Sequence, residues 1–230
     1  MRILVTRPAE DGAEIARLLA DMGHEALLAP LLTVEIYDGP PLNLDGVQAV
    51  LATSANGVRA LATRTDARDV PLFAVGPQTA EAAVRAGFIR VRNADGDAVA
   101  LAHAIPGWVD PAAGALLHAA GENGSGDLAD ALAAKGFRVR REILYRVEPV
   151  PHLPADAIRA LQENSVQAAL FFSPQSARVF ADHATQAGVS TAGLLAVCIS
   201  ANTADALRGL AFTEIKIASA PNQAALLACL

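Results

Sequence analysis

Along this chain a short apolar run is followed, again and again, by a polar turn, a stretch with helical spacing and a closing glycine. The opening shows the pattern from Ile3 to Gly23: I-L-V-T-R-P-A-E-D-G-A-E-I-A-R-L-L-A-D-M-G. Leu72 to Val75 is another such run, ended by Gly76-Pro77, with a helix predicted over Gln78 to Ala86 and Gly87 at its stop position. Wholly apolar runs of this length suit strands covered on both faces. Asp11 stands near the start of the first predicted helix as a candidate cap. Strands alternating with helices at this spacing predict parallel sheets with helices on both sides.

The pattern also repeats in two different orders. Ile3 to Gly23 is echoed by Leu116 to Gly136, Ala169 to Phe180 by Ala49 to Leu61, Leu195 to Leu207 by Leu72 to Ala83, and Ile215 to Ala228 by Arg90 to Ala102. The inner copy therefore runs two, three, four, one, and is inserted after the first unit of the outer copy. This predicts two similar α/β domains, each a parallel sheet of about five strands flanked by helices, joined by a two-stranded linker. The outer domain is discontinuous, 1–36 plus 147–230, and the inserted domain spans 38–144. The extra strands are Glu25 to Leu28 and Phe137 to Arg140. The linkers, about 32–37 and 142–148, read L-T-V-E-I-Y and E-I-L-Y-R-V, and their β-branched and aromatic residues predict paired antiparallel strands.

Composition narrows the class. The chain has 230 residues, 53% apolar and 18% charged, enough for two cores. Charged or turn residues interrupt every apolar run before it reaches membrane-span length. Arg7-Pro8 breaks the apolar opening too early for a secretory signal. Cys198 and Cys229 form no CxxC motif, which points to a reducing compartment. The five histidines show no metal-ligand spacing, and no metal is expected. With a net charge of −6 there is no basic footprint for nucleic acid; Arg138-Val139-Arg140-Arg141 reads as a solvated strand edge.

Candidate chemistry lies in the turns. In an open parallel sheet ligands bind beyond the carboxyl ends of the strands. Here those turns read T-R-P, T-S-A-N, V-G-P-Q-T, A-A-G-E-N, F-S-P-Q-S and I-S-A-N-T, each leading into a helix N-terminus that attracts anions. The chain lacks a G-x-S-x-G elbow and a Walker-type phosphate loop. In any single turn the Ser, Thr and Asn read first as plain helix caps; six such turns in two copies shift the reading toward binding. The candidate binding residues are Thr6, Arg7, Ser54, Asn56, Gly76, Thr79, Gly121, Glu122, Ser173, Gln175, Ser176, Ser200 and Thr203.

These turns, in this order and spacing, resemble the uroporphyrinogen-III synthase family. The likeness is carried by I-L-V-T-R-P, A-T-S-A-N-G-V, F-A-V-G-P-Q-T-A, L-Y-R-V-E-P, F-F-S-P-Q-S-A and C-I-S-A-N-T-A, across nearly the whole chain. No one of these motifs is highly specific. The resemblance implies a cofactor-free enzyme of the hydro-lyase type. Its substrate is hydroxymethylbilane, a linear tetrapyrrole with eight carboxylates, held between the two domains. The terminal hydroxyl leaves as water, the last pyrrole ring (D) inverts through a spiro intermediate, and the ring closes to the type III isomer. The bilane closes unaided to type I, so the enzyme's task is mainly to hold it in one conformation.

The family's candidate donor to the departing hydroxyl, a tyrosine on the returning linker, maps to Tyr145; a phenol is a weak acid, so its share is expected to be modest. An aromatic that only pins the linker strands is the other reading of Tyr145. Arg7 reads equally as a carboxylate contact or as a surface arginine packing on its neighbours. Ser200 departs from the family, which carries glycine there. Its side chain either blocks close approach or donates to a carboxylate. The expected partner is the small-molecule substrate alone, with transient hand-over from hydroxymethylbilane synthase, no nucleic acid and no membrane, and the chain is expected to be a cytoplasmic monomer. Two other classes share these features: a two-lobed protein that binds a small anion without catalysis, and a regulatory module that has lost the activity. Isomer analysis of the product separates them from the enzyme.

Overall fold

The computed structural model describes residues 1–124 and 126–230. The chain divides into two compact units, Met1–Thr33 with Glu148–Leu230, and Val34–Val147. Each is an α/β unit with helices flanking its sheet.

In the first unit, β1 (Arg2–Val5), β2 (Glu25–Leu28), β9 (Ala168–Phe171), β10 (Leu195–Cys198) and β11 (Glu214–Ile217) form a wholly parallel sheet in the order β11-β10-β9-β1-β2. The helices are α1 (Ala9–Asp21), α6 (Ala155–Gln162), α7 (Pro174–Gln186), α8 (Ala201–Asp205) and α9 (Gln223–Leu227). In the second unit, β4 (Val47–Ala52), β5 (Leu72–Ala74), β6 (Val91–Asn93), β7 (Ala115–Gly121) and β8 (Val139–Pro149) lie in the order β8-β7-β4-β5-β6. They run parallel, and α2 (Ala55–Arg64), α3 (Pro77–Arg85), α4 (Ala98–Ala104) and α5 (Asp127–Ala133) belong to this unit. Read in repeat units, both sheets have one order, closing strand, first, second, third, fourth. In each sheet the order reverses beside the first strand, between β1 and β9 in one and between β7 and β4 in the other. Such a switch point opens a crevice at the carboxyl ends of the strands.

Burial explains why these runs form strands. Ile3 to Val5, Ala168 to Phe171 and Ala196 to Cys198 are all fully buried, as strands covered on both faces must be. Alternate residues of β4 feed opposite cores: Val50 and Ala52 pack with Val58, Leu61 and Leu117, whereas Ala49 and Leu51 pack with Leu101, Leu116 and Leu132. The helices stop where glycine permits it. Gly23 and Gly136, at φ +76° and +85°, end α1 and α5 with the same bonds. His24 N donates to Leu19 O at 2.8 Å, and Phe137 N donates to Leu132 O at 3.1 Å. The Asp11 expectation is corrected: α1 begins after Pro8 without a side-chain cap, and Asp11, inside the first turn, pairs with Arg7.

The chain crossings also differ from expectation. Instead of an extra strand followed by a separate linker, Val139–Pro149 is one eleven-residue strand. Its first half pairs with β7. Its second half lies beside β3 (Leu32–Ile36), which adds a sixth strand to the sheet of the second unit. Tyr37 N donates to Leu144 O at 2.8 Å and Val150 N to Leu31 O at 3.0 Å, so the two crossings run antiparallel. Between these halves the register slips: Ala120 faces Ile143, yet Gly121 faces Tyr145. The bulge places two successive residues, Leu144 and Tyr145, in the core at 1% and 7% exposure. The arginine run at its start is not a merely solvated edge either. Arg140 pairs with Glu142, and Arg141 donates to the Gly121 and Gly124 carbonyls, both at 2.9 Å.

One histidine is part of the core. His118, in β7, is 4% exposed and has Nε2 3.4 Å from the Thr53 hydroxyl. Burial first, and the Arg141 guanidinium second, lower its pKa to about 4.

Two stability measurements test these contacts. A Cβ at Gly57, in the first turn of α2, would sit 2.7 Å from the Ala119 carbonyl oxygen. Gly57→Ala is therefore expected to cost about 1–3 kcal/mol, read as an earlier midpoint in urea unfolding. For His118 the unfolded chain takes up a proton near pH 6.5, while the folded chain resists it down to about pH 4. Its contribution is complete above the first pH and is lost as pH falls toward the second. It is on the order of 3 kcal/mol. His118→Gln is expected to flatten the urea-midpoint curve over that window.

Candidate functional site

In the second unit the turn after β4 meets the bulge of β8. Ser54 caps α2, and its hydroxyl accepts the Gly57 N–H at 3.1 Å. The same oxygen lies 2.7 Å from the Tyr145 phenol oxygen. A serine hydroxyl has one proton and two acceptor positions. With its proton on Tyr145, Ser54 leaves the phenolic O–H free to turn toward a ligand oxygen. Gly121 makes room for this ring, since a Cβ there would stand 2.8 Å from Tyr145 Cζ. Glu122, in the next turn, gives its N–H to the Tyr145 carbonyl at 2.8 Å, and its carboxylate accepts the Tyr37 phenol at 2.7 Å. Tyr37 has its pKa raised, mainly by that bond, so it stays a neutral donor.

The remaining turns differ in what they leave available. Ser173 and Ser200 cap α7 and α8 by accepting the N–H groups of Ser176 and Thr203, and each pairs with the hydroxyl of that same residue at 3.0 Å. Ser176 and Thr203 are buried at 4% and 0% exposure. Ser200 thus takes the plain helix-cap role that the sequence allowed for the hydroxyls of these turns. Gly76 occupies the corresponding place before α3 and brings no side chain to the first turn. Thr79, the counterpart of Ser176 and Thr203, therefore has no cap hydroxyl beside it, and the turn keeps the partial positive charge of its helix end. Asn56 accepts from Arg59 within α2. Gln175 is exposed in the first turn of α7.

In the first unit the switch point is closed from beneath by Thr6, which is fully buried and donates its hydroxyl to Leu170 O at 2.7 Å. Arg7 follows it in the chain, past the end of β1. Its guanidinium bonds Asp11 at 2.6 Å and lies 4.8 Å from the centre of the Phe172 ring, just past the end of β9. Both readings of Arg7 thus share one geometry: a packed arginine whose charge is fixed at the strand ends.

Within the second unit the structure joins Tyr145, Ser54, Gly121 and Glu122. Within the first it joins Thr6 and Arg7 with the Phe172–Ser173 turn. Sequence reading did not single out Tyr37, His118 or Phe172. Tyr37 did carry a signal, as one of only two tyrosines in the chain, each near a predicted crossing. Among the described residues no set of three His, Cys, Asp or Glu side chains gathers as metal ligands, and no helix is long and apolar enough to cross a membrane. Taken separately, the second unit offers an oriented phenol with hydroxyl and N–H donors to an anionic ligand, and the first offers the Arg7 guanidinium beside the Phe172–Ser173 turn.

Comparison with known proteins bears on the fold and the family. Among the solved structures that share the fold are the following two. The uroporphyrinogen-III synthetase of Helicobacter pylori matches with TM-score 0.65 and 18% identity, over 100% of this chain and 98% of its own. A mutant uroporphyrinogen III synthase of the extreme thermophile Thermus thermophilus matches with TM-score 0.52 and 20% identity, over 100% and 96%. No curated protein matches in sequence. The family model described as uroporphyrinogen-III synthase HemD matches residues 13–228, nearly the whole length over which the repeats run. This chain belongs to the uroporphyrinogen-III synthase family, enzymes of tetrapyrrole biosynthesis.

Proposed function

We propose that this enzyme closes hydroxymethylbilane to uroporphyrinogen III, with loss of water and inversion of ring D, and that Tyr145 donates a hydrogen bond to the departing hydroxyl. The observation that carries the assignment is the 2.7 Å contact between Ser54 Oγ and the Tyr145 phenol, beside the switch point of the second unit. Ser54 orients the phenol, Gly121 clears its ring, and the bulge of β8 aims it. A hydrogen bond to the oxygen that leaves as water grows stronger as negative charge builds there, so it lowers the barrier rather than only tightening binding.

The carboxylates of the bilane are assigned to the strand-end turns. Gly76 and Thr79 at the start of α3, and Ser54 and Asn56 at the start of α2, serve in one unit. Thr6, Arg7, Ser173, Gln175, Ser176, Ser200 and Thr203 serve in the other. Arg7 and the α3 turn have the strongest support, since the first holds a full charge and the second an uncapped helix end. Thr6, Ser176 and Thr203 act from beneath, by fixing the turns, because they are buried. Gly121 and Glu122 act on Tyr145. Local donors of this kind let a chain of net charge −6 bind a polyanion. The free thiols of Cys198 and Cys229 support a reducing cytoplasm, and cores closed within each unit support a monomer, served by transient hand-over from the synthase that makes the bilane.

The test generates hydroxymethylbilane in place and separates the product isomers. Type III product is expected from the native chain, and type I alone from folded protein would refute the assignment. Tyr145→Phe is expected to slow type III formation about tenfold without abolishing it, the worth of one hydrogen bond. Complete loss with an unchanged fold would give the phenol a far larger share.

A further inference from the structure

We infer that Tyr37 is a positioning residue for the cyclisation: through Glu122 it fixes the turn after β7 and thereby the backbone and ring of Tyr145. The inference rests on the role given to Tyr145 above. Its basis is a closed circuit of contacts within one unit. Tyr37 N donates to Leu144 O at 2.8 Å, next to Tyr145 in the chain. The Tyr37 phenol donates to Glu122 Oε2 at 2.7 Å, and Glu122 N donates to the Tyr145 carbonyl at 2.8 Å. Gly121, the neighbour of Glu122, lies against the Tyr145 ring, and that ring meets Ser54 at 2.7 Å. Tyr37 therefore touches both sides of the bulge, once by main chain and once by side chain.

Position separates Tyr37 from the chemistry itself. Ile36 packs against the core that contains Tyr145. Tyr37, just past the end of β3, is not among the residues of that core, and its phenol meets Glu122 in an exposed contact. It also gives the Glu122 carboxylate a function other than meeting substrate. A carboxylate beside a substrate with eight of its own is unfavourable, but one that accepts a phenol and thereby tethers a turn is not. A bulge leaves residues outside the ladder, and it stays in one conformation only if its surroundings hold it there.

The experiment compares Tyr37→Phe, Glu122→Ala, Glu122→Gln and the Tyr37→Phe/Glu122→Ala pair, each with its thermal unfolding midpoint. Tyr37→Phe is expected to lower kcat for type III product about three- to tenfold with KM unchanged, and to raise the share of type I. Exchange of the Glu122 amide hydrogen should quicken about tenfold. The double variant should match Glu122→Ala, and Glu122→Gln, which keeps an acceptor, should be less impaired than Glu122→Ala. Unchanged kcat and amide exchange in Tyr37→Phe would overturn the inference, as would defects that add in full or a change confined to KM. If the native chain gives only type I, the reaction assignment fails instead. Amide exchange then decides alone whether Tyr37 holds the turn.

Discussion

Covering a parallel sheet on both faces is the constraint from which the rest of this structure follows. A strand such as Ala168 to Phe171, buried at every residue, has no surface left for chemistry. Polar groups are displaced to the strand ends, where the chain turns and helices begin. There the backbone still has hydrogen bonds to make, because the first turn of each helix has N–H groups without intrahelical partners. The same constraint that fills the core with valine, leucine and alanine therefore concentrates hydroxyls and amides in a few turns.

Those turns are alike in sequence but not in what they offer. Ser173 and Ser200 commit their oxygens to the helices they cap, and Thr6 commits its proton to a neighbouring strand. Gly76 has no side chain to commit, and Ser54 is shared between its helix and a phenol. A row of similar motifs thus divides into structural and functional members by a count of protons and lone pairs. The bulge in β8 completes the division. By shifting the register one place it moves Tyr145 from the solvent side of a strand to the core side, where Ser54 can reach it.

Much of this was legible in the chain. The permuted repeat carried the succession of strand–helix units along the chain, because each apolar run, turn and closing glycine announces one such unit. The glycines at 23 and 136 did so through their positive φ, which other residues adopt at a cost. The extent of β8 was not legible: Phe137 to Arg140 and Glu142 to Glu148 read as two strands because the bulge breaks the alternation that identifies one. His118 escaped notice for a related reason. A lone polar residue inside an apolar run looks like an exception, and only the covering of β7 on both faces makes it a buried base. Tyr37 and Glu122, 85 residues apart, are joined by topology, which no local pattern encodes.

The interrupted order of the repeats has a consequence for how the chain is made. Ile3 lies beside Ala168 in the finished sheet, so β1, the second strand from an edge, is exposed on one side until β9 leaves the ribosome. The inserted unit, continuous from Val34 to Val147, meets no such delay. Domains generally fold as units during synthesis, and strands paired over long separations close slowly. β1 is therefore late to gain its second neighbour, and a nascent chain must shelter an apolar Ile3-Leu4-Val5 edge while a whole second unit assembles downstream of it.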